Sequence, residues 1–259
     1  KDYNSAIRWF KQSDRDFANA KSLFGRGYAQ HFMGGAYSNL SKDDEAVAAY
    51  TLAIATRKDL LKAEPDASYA NDLFTSLNAL ATQYKSMAKN EESLAMYHEA
   101  LQHAKANLVK SSVADAWWSI GILYDEAWKN YPKAIEAYES AFTEFLSIQV
   151  NDSSSAITIK RNIANDYNKL KKREESKQAI GEAVSLARTW GNLPALAYAL
   201  DFQGFLAKDN KDYSQAIVSY QEAEKIYTQL SNTEKLISVK DDFANTYLYA
   251  KKYPQAEAK

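Results

Sequence analysis

Small and aromatic side chains recur along this chain in a pattern that returns about every forty residues. The pattern is Y-x-x-A-(I/L/V)-x-x-Y-x-x-A, and it is complete at 131–141 and at 213–223. Together with relaxed copies it is centred on seven small residues: Ala6, Ala46, Ser93, Ala134, Ser176, Ala216 and Ala256. Successive centres are 40, 47, 41, 42, 40 and 40 residues apart. This period predicts a repeat array in which each unit buries its apolar face against the next.

A second pattern lies upstream of each centre and has the same period. A small residue is followed three positions later by an aromatic residue in five copies: Gly34 with Tyr37, Ala81 with Tyr84, Gly121 with Tyr124, Ala164 with Tyr167, and Ala244 with Tyr247. The remaining copy keeps the small residue, Gly204, but has Ala207 in place of the aromatic. Residues three apart share one face of a helix, so each copy predicts a second packing helix.

The two phased patterns resemble helix A and helix B of the tetratricopeptide repeat family over nearly the whole chain. The resemblance implies an all-α fold, an α-solenoid of antiparallel helix pairs. In such pairs Gly121, Gly204, Ala134 and Ala216 would lie where helices A and B touch. The common repeat has about 34 residues, and the longer form found here is similar to the repeats of kinesin light chain, of spindle-orientation adaptors and of bacterial signalling proteins.

We expect a single array over residues 1–259, with about six repeats, truncated repeats at both ends and roughly thirteen helices, as in a fragment of a longer protein. Twelve helices are placed at 2–16, 18–40, 43–63, 66–89, 90–110, 112–129, 131–150, 153–171, 172–190, 193–209, 211–231 and 233–251. Short polar residues before apolar runs predict N-caps at Ser112, Asp152, Asn192 and Ser231. Four glycines weaken the second helix, and the Gly25-x-Gly27 pair indicates loose helix packing there.

Composition excludes several classes of function but does not identify the function. The formal charge of −1 gives no overall field to attract nucleic acid or an anionic membrane. The absence of cysteine excludes disulfides and thiol catalysis, and His98 and His103 are five residues apart, which places them on different helix faces. No stretch reaches the roughly 20 apolar residues of a membrane helix. We therefore expect no cofactor, no metal site, no catalysis and no membrane insertion by this segment, in either a cytoplasm or a periplasm.

The resemblance also implies a binding surface, because in this family helix A lines the concave groove. Residues three before and one after the small residue of helix A face that groove, and the run Arg161–Tyr167 resembles the N-N-L-G-N-x-Y run whose asparagines bind a peptide backbone. With Tyr198 as a further apolar anchor, the expected surface is one strip along successive repeats: His31, Asn78, Thr82, Trp118, Ile122, Arg161, Asn162, Asn165, Tyr198, Asp201, Phe205, Asp241 and Asn245.

These observations favour a non-catalytic module that binds a peptide or partner domain in its groove. Two alternatives stay open: a sensory or regulatory repeat domain of a bacterial kinase, cyclase or transcription regulator, and a scaffold for a catalytic domain elsewhere in the chain. For any one residue of the strip, an ordinary solvated role also stays open. Other tetratricopeptide proteins bind chaperone tails with a clamp of Lys, Asn and Arg residues from three consecutive A helices. That clamp is not expected here, because no three consecutive A helices contain this set of residues.

Overall fold

The computed structural model describes residues 2–148 and 153–252. Over these residues the chain is helical and contains no strand. The helices are α1 Tyr3–Asn19, α2 Leu23–Asn39, α3 Asp43–Ala63, α4 Ala67–Ser86, α5 Asn90–Ala106, α6 Lys110–Trp128, α7 Tyr131–Ser147, α8 Ser153–Lys169, α9 Arg173–Thr189, α10 Leu193–Asp209, α11 Tyr213–Gln229 and α12 Thr233–Lys252. The predicted all-α fold class is confirmed, and α3 and α10 have the predicted bounds. The helix expected around Ala256 lies outside the described residues.

The helices group into two units, Lys1–Lys129 with α1–α6 and Asn130–Lys259 with α7–α12. Within each unit consecutive helices pack as antiparallel pairs. Among the helix pairs, α2 with α3 and α10 with α11 are in especially extensive contact. Both pairs consist of a predicted helix A followed by its helix B. None of the described helices combines the length and the apolar character that would carry it across a membrane.

Small residues lie at the A–B contacts, as the repeat pattern predicts. A Cβ atom added at Gly34 would lie 2.7 Å from the Tyr50 ring, and one added at Gly204 would lie 2.7 Å from the Tyr220 ring. Two of the helix B centres are serines that take part in the same contact. Ser93 donates its hydroxyl to the carbonyl of Ala81 at 2.8 Å, and Ser176 donates to that of Ala164 at 2.7 Å. Gly121, Ala134 and Ala216 are buried as well.

The second helix corrects the prediction of loose packing. α2 is helical from Leu23 to Asn39, and its glycines are sites of close approach. A Cβ at Gly27 would lie 2.9 Å from the Arg57 side chain, and one at Gly25 would overlap the Phe17 ring. Glycine is therefore required here by tight packing, and burial offsets its low helix propensity.

Two of the predicted N-caps are wrong. Ser112 lies inside α6, which begins at Lys110, and its buried hydroxyl donates to the Asn71 side chain at 3.0 Å. Ser231 has a left-handed backbone with φ of 54°, and Asn232 caps α12 instead by accepting the N–H of Lys235. Asn192 is confirmed, since its side chain accepts the N–H of Ala195 at 3.0 Å. Asp152 lies outside the described residues.

The last helix departs from the expected packing. Ala244 and Tyr247, which the second pattern places at an A–B contact, are both exposed in α12. The buried side of α12 is formed by Val239 and Thr246, which lie two turns apart. The predicted partner helix of α12 lies outside the described residues, so the copy of the contact at Ala244 has no partner among the residues described.

Candidate functional site

None of the thirteen predicted groove residues is fully buried. Thr82, Tyr198, Phe205, Asp241 and Asn245 are exposed, and the other eight are half-buried. Five of the thirteen belong to unit 1 and eight to unit 2. A continuous strip through both units stays a prediction.

In unit 1 the polar members of the set take part in an internal network. Arg57 on α3 is only 5% exposed, and it donates to the hydroxyl of Ser76 at 2.6 Å and to the carbonyl of Asp72. His31 Nδ1 lies 3.2 Å from the same Ser76 hydroxyl. Burial, and secondarily the charge of Arg57, lower the pKa of His31 to about 4. The imidazole is therefore neutral at neutral pH and bridges α2 to α4.

Neighbouring polar groups in unit 1 are satisfied in the same way. Asp14 accepts from the Gln30 amide at 2.8 Å, and the Gln30 carbonyl oxygen accepts from Thr56 at 2.8 Å.

Two further predicted residues of unit 1 are bonded to other helices. Asn78 accepts from Ser119 at 3.4 Å, and the Thr82 hydroxyl lies 3.1 Å from that of Tyr97. His31, Asn78 and Thr82 are thus bonded to side chains of other helices. Trp118 and Ile122 are half-buried on α6.

In unit 2 two of the predicted residues, Arg161 and Tyr198, belong to a cluster of cations and aromatic rings. The guanidinium carbon of Arg161 lies 4.4 Å from the centre of the Tyr198 ring and 5.5 Å from that of Phe202. Lys235 Nζ lies 5.8 Å from the Tyr198 ring. We call Arg161, Tyr198, Phe202 and Lys235 the cation–aromatic cluster; it joins α8, α10 and α12. Phe205 extends it, because its ring stacks on Phe202 with centres 5.6 Å apart.

A half-buried carboxylate lies next to this cluster. Burial, and secondarily the charge of Asp242, raise the pKa of Asp201 to about 6, while Lys235 and Lys208 oppose the rise. Asp242 is itself ion-paired with Lys208 at 2.5 Å. Asp201 therefore carries a proton more readily than an exposed aspartate does.

The remaining predicted residues of unit 2 are less closely involved. Asn162 accepts from Arg161 at 3.1 Å, and Asn165 is half-buried. Asp241 and Asn245 are exposed, and among the described residues no hydrogen bond, ion pair or ring contact joins them to the cluster. The rule taken from the family selects two fixed positions in each helix A. It therefore did not select Phe202, Lys235 or Asp242. Lys235 lies two turns before Asp242 on α12, and this spacing is the signal that could have indicated a shared face.

Two of the cavities among the described residues lie in unit 2. One of about 260 Å³ is lined by Tyr198, Lys235, Tyr227 and the first turn of α10. The other, of about 270 Å³, lies between α9, α10 and α11 and contains none of the predicted groove residues. No group of three or more His, Asp or Glu side chains suited to a metal ion occurs within 2–148 and 153–252.

The comparisons with known proteins identify the fold. No family model matches the sequence, and no curated protein matches it either. Solved structures do match: BtubC (BKLC) from P. vanneervenii has a TM-score of 0.72 at 13% identity, covering 89% of this chain and 93% of that one. The nearly identical TPR-like repeats of a kinesin light chain-like protein from Podosopora anserina have a TM-score of 0.62 at 15% identity, over 79% and 96%.

A Rap protein in complex with competence and sporulation factor is similar as well. Its TM-score is 0.54 at 14% identity, and the match covers 96% of this chain and 70% of that one. Identities this low establish similarity of fold and leave function open. The described part of the chain therefore has the fold of the tetratricopeptide-like helical repeat proteins.

Proposed function

We propose that this chain is a non-catalytic interaction module that binds a peptide or an extended segment of a partner protein along α8, α10 and α12 of unit 2. The cation–aromatic cluster carries this proposal. Tyr198 is 37% exposed and Phe205 is 42% exposed, and Tyr198 lies beside Arg161 and Lys235. Large aromatic and arginine side chains in such positions supply much of the binding energy at protein interfaces.

The cluster also has the chemistry that a peptide requires. Aromatic rings bury apolar side chains of a ligand, and the stacked guanidinium of Arg161 keeps donors for carbonyl or carboxylate oxygens. Because the Arg161 and Lys235 side chains are already positioned against Tyr198, a ligand would lose less conformational entropy in ordering them. The formal charge of −1 supports a protein partner over nucleic acid.

One similar structure supports a binding role of this general kind. It contains a Rap protein together with competence and sporulation factor, and thus a related fold holding a partner. A regulatory role for the present chain, as a sensor that responds to its bound partner, is compatible with the same surface. The cluster supports a binding role more directly than it supports the sensory or the scaffold role. It is a feature of a surface, and it indicates nothing about an output domain.

The test is selection from a random peptide library displayed on phage, with the full chain immobilised. We expect selected peptides to lose binding to the double variant Tyr198→Ala/Phe205→Ala. A matched control is Val218→Ala, which removes an exposed apolar side chain on α11. Circular dichroism should give the same helix content for all three proteins. Selected peptides that bind the double variant and the control equally would refute the proposal.

A further inference from the structure

The repeat departs from its own pattern at one place in unit 2, where α9 packs against α10. In the second pattern an aromatic residue follows the small residue of helix A by three positions in five copies, and α10 has Ala207 there instead. In the first pattern the residue four positions after the helix B centre is aromatic in α1, α3, α5, α7 and α11, and α9 has Ile180 there instead. Two successive helices therefore have smaller side chains where the other repeats have rings.

Two polar residues accompany this loss of ring volume. The residue directly after the helix B centre is aliphatic in the same five helices, but α9 has Lys177. The residue directly before the small residue of helix A is apolar in α2, α4, α6, α8 and α12, but α10 has Gln203. All four exceptional residues line the cavity of about 270 Å³ between α9, α10 and α11. The departures from the repeat are therefore concentrated on one cavity.

The other repeats show what occupies the equivalent space. Tyr37 of α2 corresponds to Ala207, and its half-buried ring lies beside α1, the preceding helix B, with Lys11 Nζ 5.8 Å from the ring centre. The same position of α4, α6 and α8 also has a half-buried tyrosine: Tyr84, Tyr124 and Tyr167. A tyrosine ring beside the preceding helix B is thus the usual occupant, and α10 does not supply one.

The wall of the cavity is suited to a ring. Ile180 and Leu206 are only 1% and 3% exposed, and together with Ala207 they form an apolar part of the lining. Gln203 is fixed beside them, because its Oε1 accepts from the Ser219 hydroxyl at 3.0 Å. Apolar cavities of about 150 Å³ bind benzene, so this cavity has room for one aromatic side chain. A preformed wall also lowers the entropy lost on binding.

The exposed part of the lining carries charges of both signs. Arg173 and Lys177 of α9 are exposed there, and so are the acidic residues Glu174 and Asp212. A polypeptide main chain presents carbonyl oxygens and N–H groups side by side, so it can bond to cations and carboxylates together. A free hydrocarbon ring would use the apolar wall alone. An aromatic residue within a polypeptide is therefore the ligand that matches the whole lining.

We propose that this cavity binds one aromatic side chain, that of a Tyr or Phe residue, from a partner protein. The ring takes the place that the tyrosine of helix A takes in the other repeats, and the charged residues bond to the main chain beside it. This inference goes beyond the proposed function, because no residue of the cation–aromatic cluster lines the cavity.

The test uses the full chain and four small probes, with NMR of the Ile180 and Ala207 methyl groups as the readout. N-acetyltyrosine N-methylamide and N-acetylphenylalanine N-methylamide carry a ring on a peptide backbone. N-acetylleucine N-methylamide carries an aliphatic side chain, and p-cresol is the ring alone. The two aromatic amides should shift both methyl signals in a saturable way and bind more tightly than the other two probes. A leucine probe or p-cresol that binds as tightly as the aromatic amides overturns the assignment.

Variants of Ala207 connect binding to the missing ring. Ala207→Tyr restores the residue of the other repeats, so it should fill the cavity, abolish binding of the aromatic amides and raise the melting temperature by about 3 °C. Ala207→Ser is the matched control, because it keeps the side chain small and should bind as the wild type does. A folded Ala207→Tyr variant that binds the probes normally would overturn the proposal.

The reverse exchange in unit 1 gives an independent test. Tyr37→Ala empties the equivalent space, so it should lower the melting temperature and create a second site for N-acetyltyrosine N-methylamide, which should restore part of the loss. Tyr28→Ala removes an exposed ring of the same helix and should create no second site. If Tyr37→Ala gains none either, the equivalence between Tyr37 and the cavity at Ala207 is wrong.

The double variant Tyr198→Ala/Phe205→Ala separates this inference from the proposed function. Neither side chain lines the cavity, so the variant should bind the aromatic amides as the wild type does. Loss of that binding would show that the two sites are one and would overturn the separate cavity. Phage-selected peptides that ignore Tyr198 and Phe205 but fail to bind Ala207→Tyr would support the cavity and refute the α8–α10–α12 surface.

Discussion

Units 1 and 2 use the same kinds of small residue to pack their helices, but they differ in how their buried polar side chains are hydrogen-bonded. In unit 1 the Arg57 guanidinium, 5% exposed, donates to Ser76 and to a backbone carbonyl, and Gln30 is bonded at both ends of its amide. In unit 2 the buried hydroxyl of Tyr227 has no partner among the described residues. One repeat architecture thus supports a closed polar network in unit 1 and, in unit 2, leaves the buried hydroxyls of Tyr220 and Tyr227 without hydrogen-bond partners among the described residues.

The difference shows how a repeat fold can separate stability from binding. A fully bonded network in a low-dielectric interior rigidifies the helices that it joins, whereas an incomplete one costs stability until a ligand completes it. Departures from full satisfaction are expected at functional sites. The proposed binding surface lies on α8, α10 and α12, so unit 2 is the unit in which we expect a ligand to stabilise the protein.

The largest expected effect comes from opening the network of unit 1. Arg57→Ala leaves a cavity and removes the donor for Ser76 and for the Asp72 carbonyl, so the free energy of unfolding in urea should fall by about 3 kcal/mol. Lys235→Ala in unit 2 should change it by less than about 0.5 kcal/mol. Similar losses for the two variants would contradict the contrast between the units.

The next effect should be shared by both units, because it concerns packing. Gly34→Ala in unit 1 and Gly204→Ala in unit 2 each place a Cβ 2.7 Å from a tyrosine ring. Both should lower the free energy of unfolding by about 2 kcal/mol. Gly181→Ala is the control: nothing lies within 4 Å of its added Cβ, and this helical site should gain about 0.5–1 kcal/mol. Urea titration of the three variants provides the measurement.

Acidification should affect the two units in opposite directions. The pKa of His31 is lowered to about 4 in unit 1, so the stability it contributes is present above its unfolded pKa of about 6.5 and is lost as the pH falls toward 4. The pKa of Asp201 is raised to about 6 in unit 2, so its contribution is present below an unfolded pKa of about 4 and is lost as the pH rises through 6.

Variants at these two positions allow the effects to be measured separately. His31→Gln should flatten the fall in melting temperature between pH 6.5 and 4, and Asp201→Asn should raise the melting temperature at pH 7.5 but not at pH 4. Each effect should be on the order of 1 kcal/mol, because both side chains are only half-buried. An Asp201→Asn variant that stabilises equally at both pH values would show that ionisation is not the cause.

The smallest expected effect concerns the turns. Leu108 in unit 1 and Gly191 in unit 2 both have a left-handed backbone, with φ of 56° and 65°, and Leu108 is 86% exposed. Leu108→Gly should raise the free energy of unfolding by about 0.5 kcal/mol, and Gly191→Ala should lower it by a similar amount. Thermal unfolding of the two variants gives the test, and a loss of stability in Leu108→Gly would indicate that its side chain packs.

Part of the candidate site could be predicted from the sequence, and particular residues show why the rest could not. Arg161 and Tyr198 were expected on one surface, and their side chains do meet at 4.4 Å. The rule taken from the family did not select Phe202, Lys235 or Tyr227, because it uses only fixed positions of helix A. Tyr227 belongs to a helix B, where the tyrosine pattern indicates only packing. For His31 a ligand contact stays a prediction, and its Nδ1 lies 3.2 Å from the Ser76 hydroxyl, a contact that the spacing of the repeats does not indicate.

The sequence by itself determined the repeat, the helix pairs and most of the residues at which those pairs touch, with exposed Ala244 of α12 as an exception. This follows because spacing along a helix decides which side chains share a face, so small and aromatic residues at a fixed period are enough to predict the contacts. Only the tertiary structure decided which polar groups are paired. Asp14, Gln30 and Thr56 come from three helices, and hydrogen bonds with strict distance requirements depend on how those helices are placed.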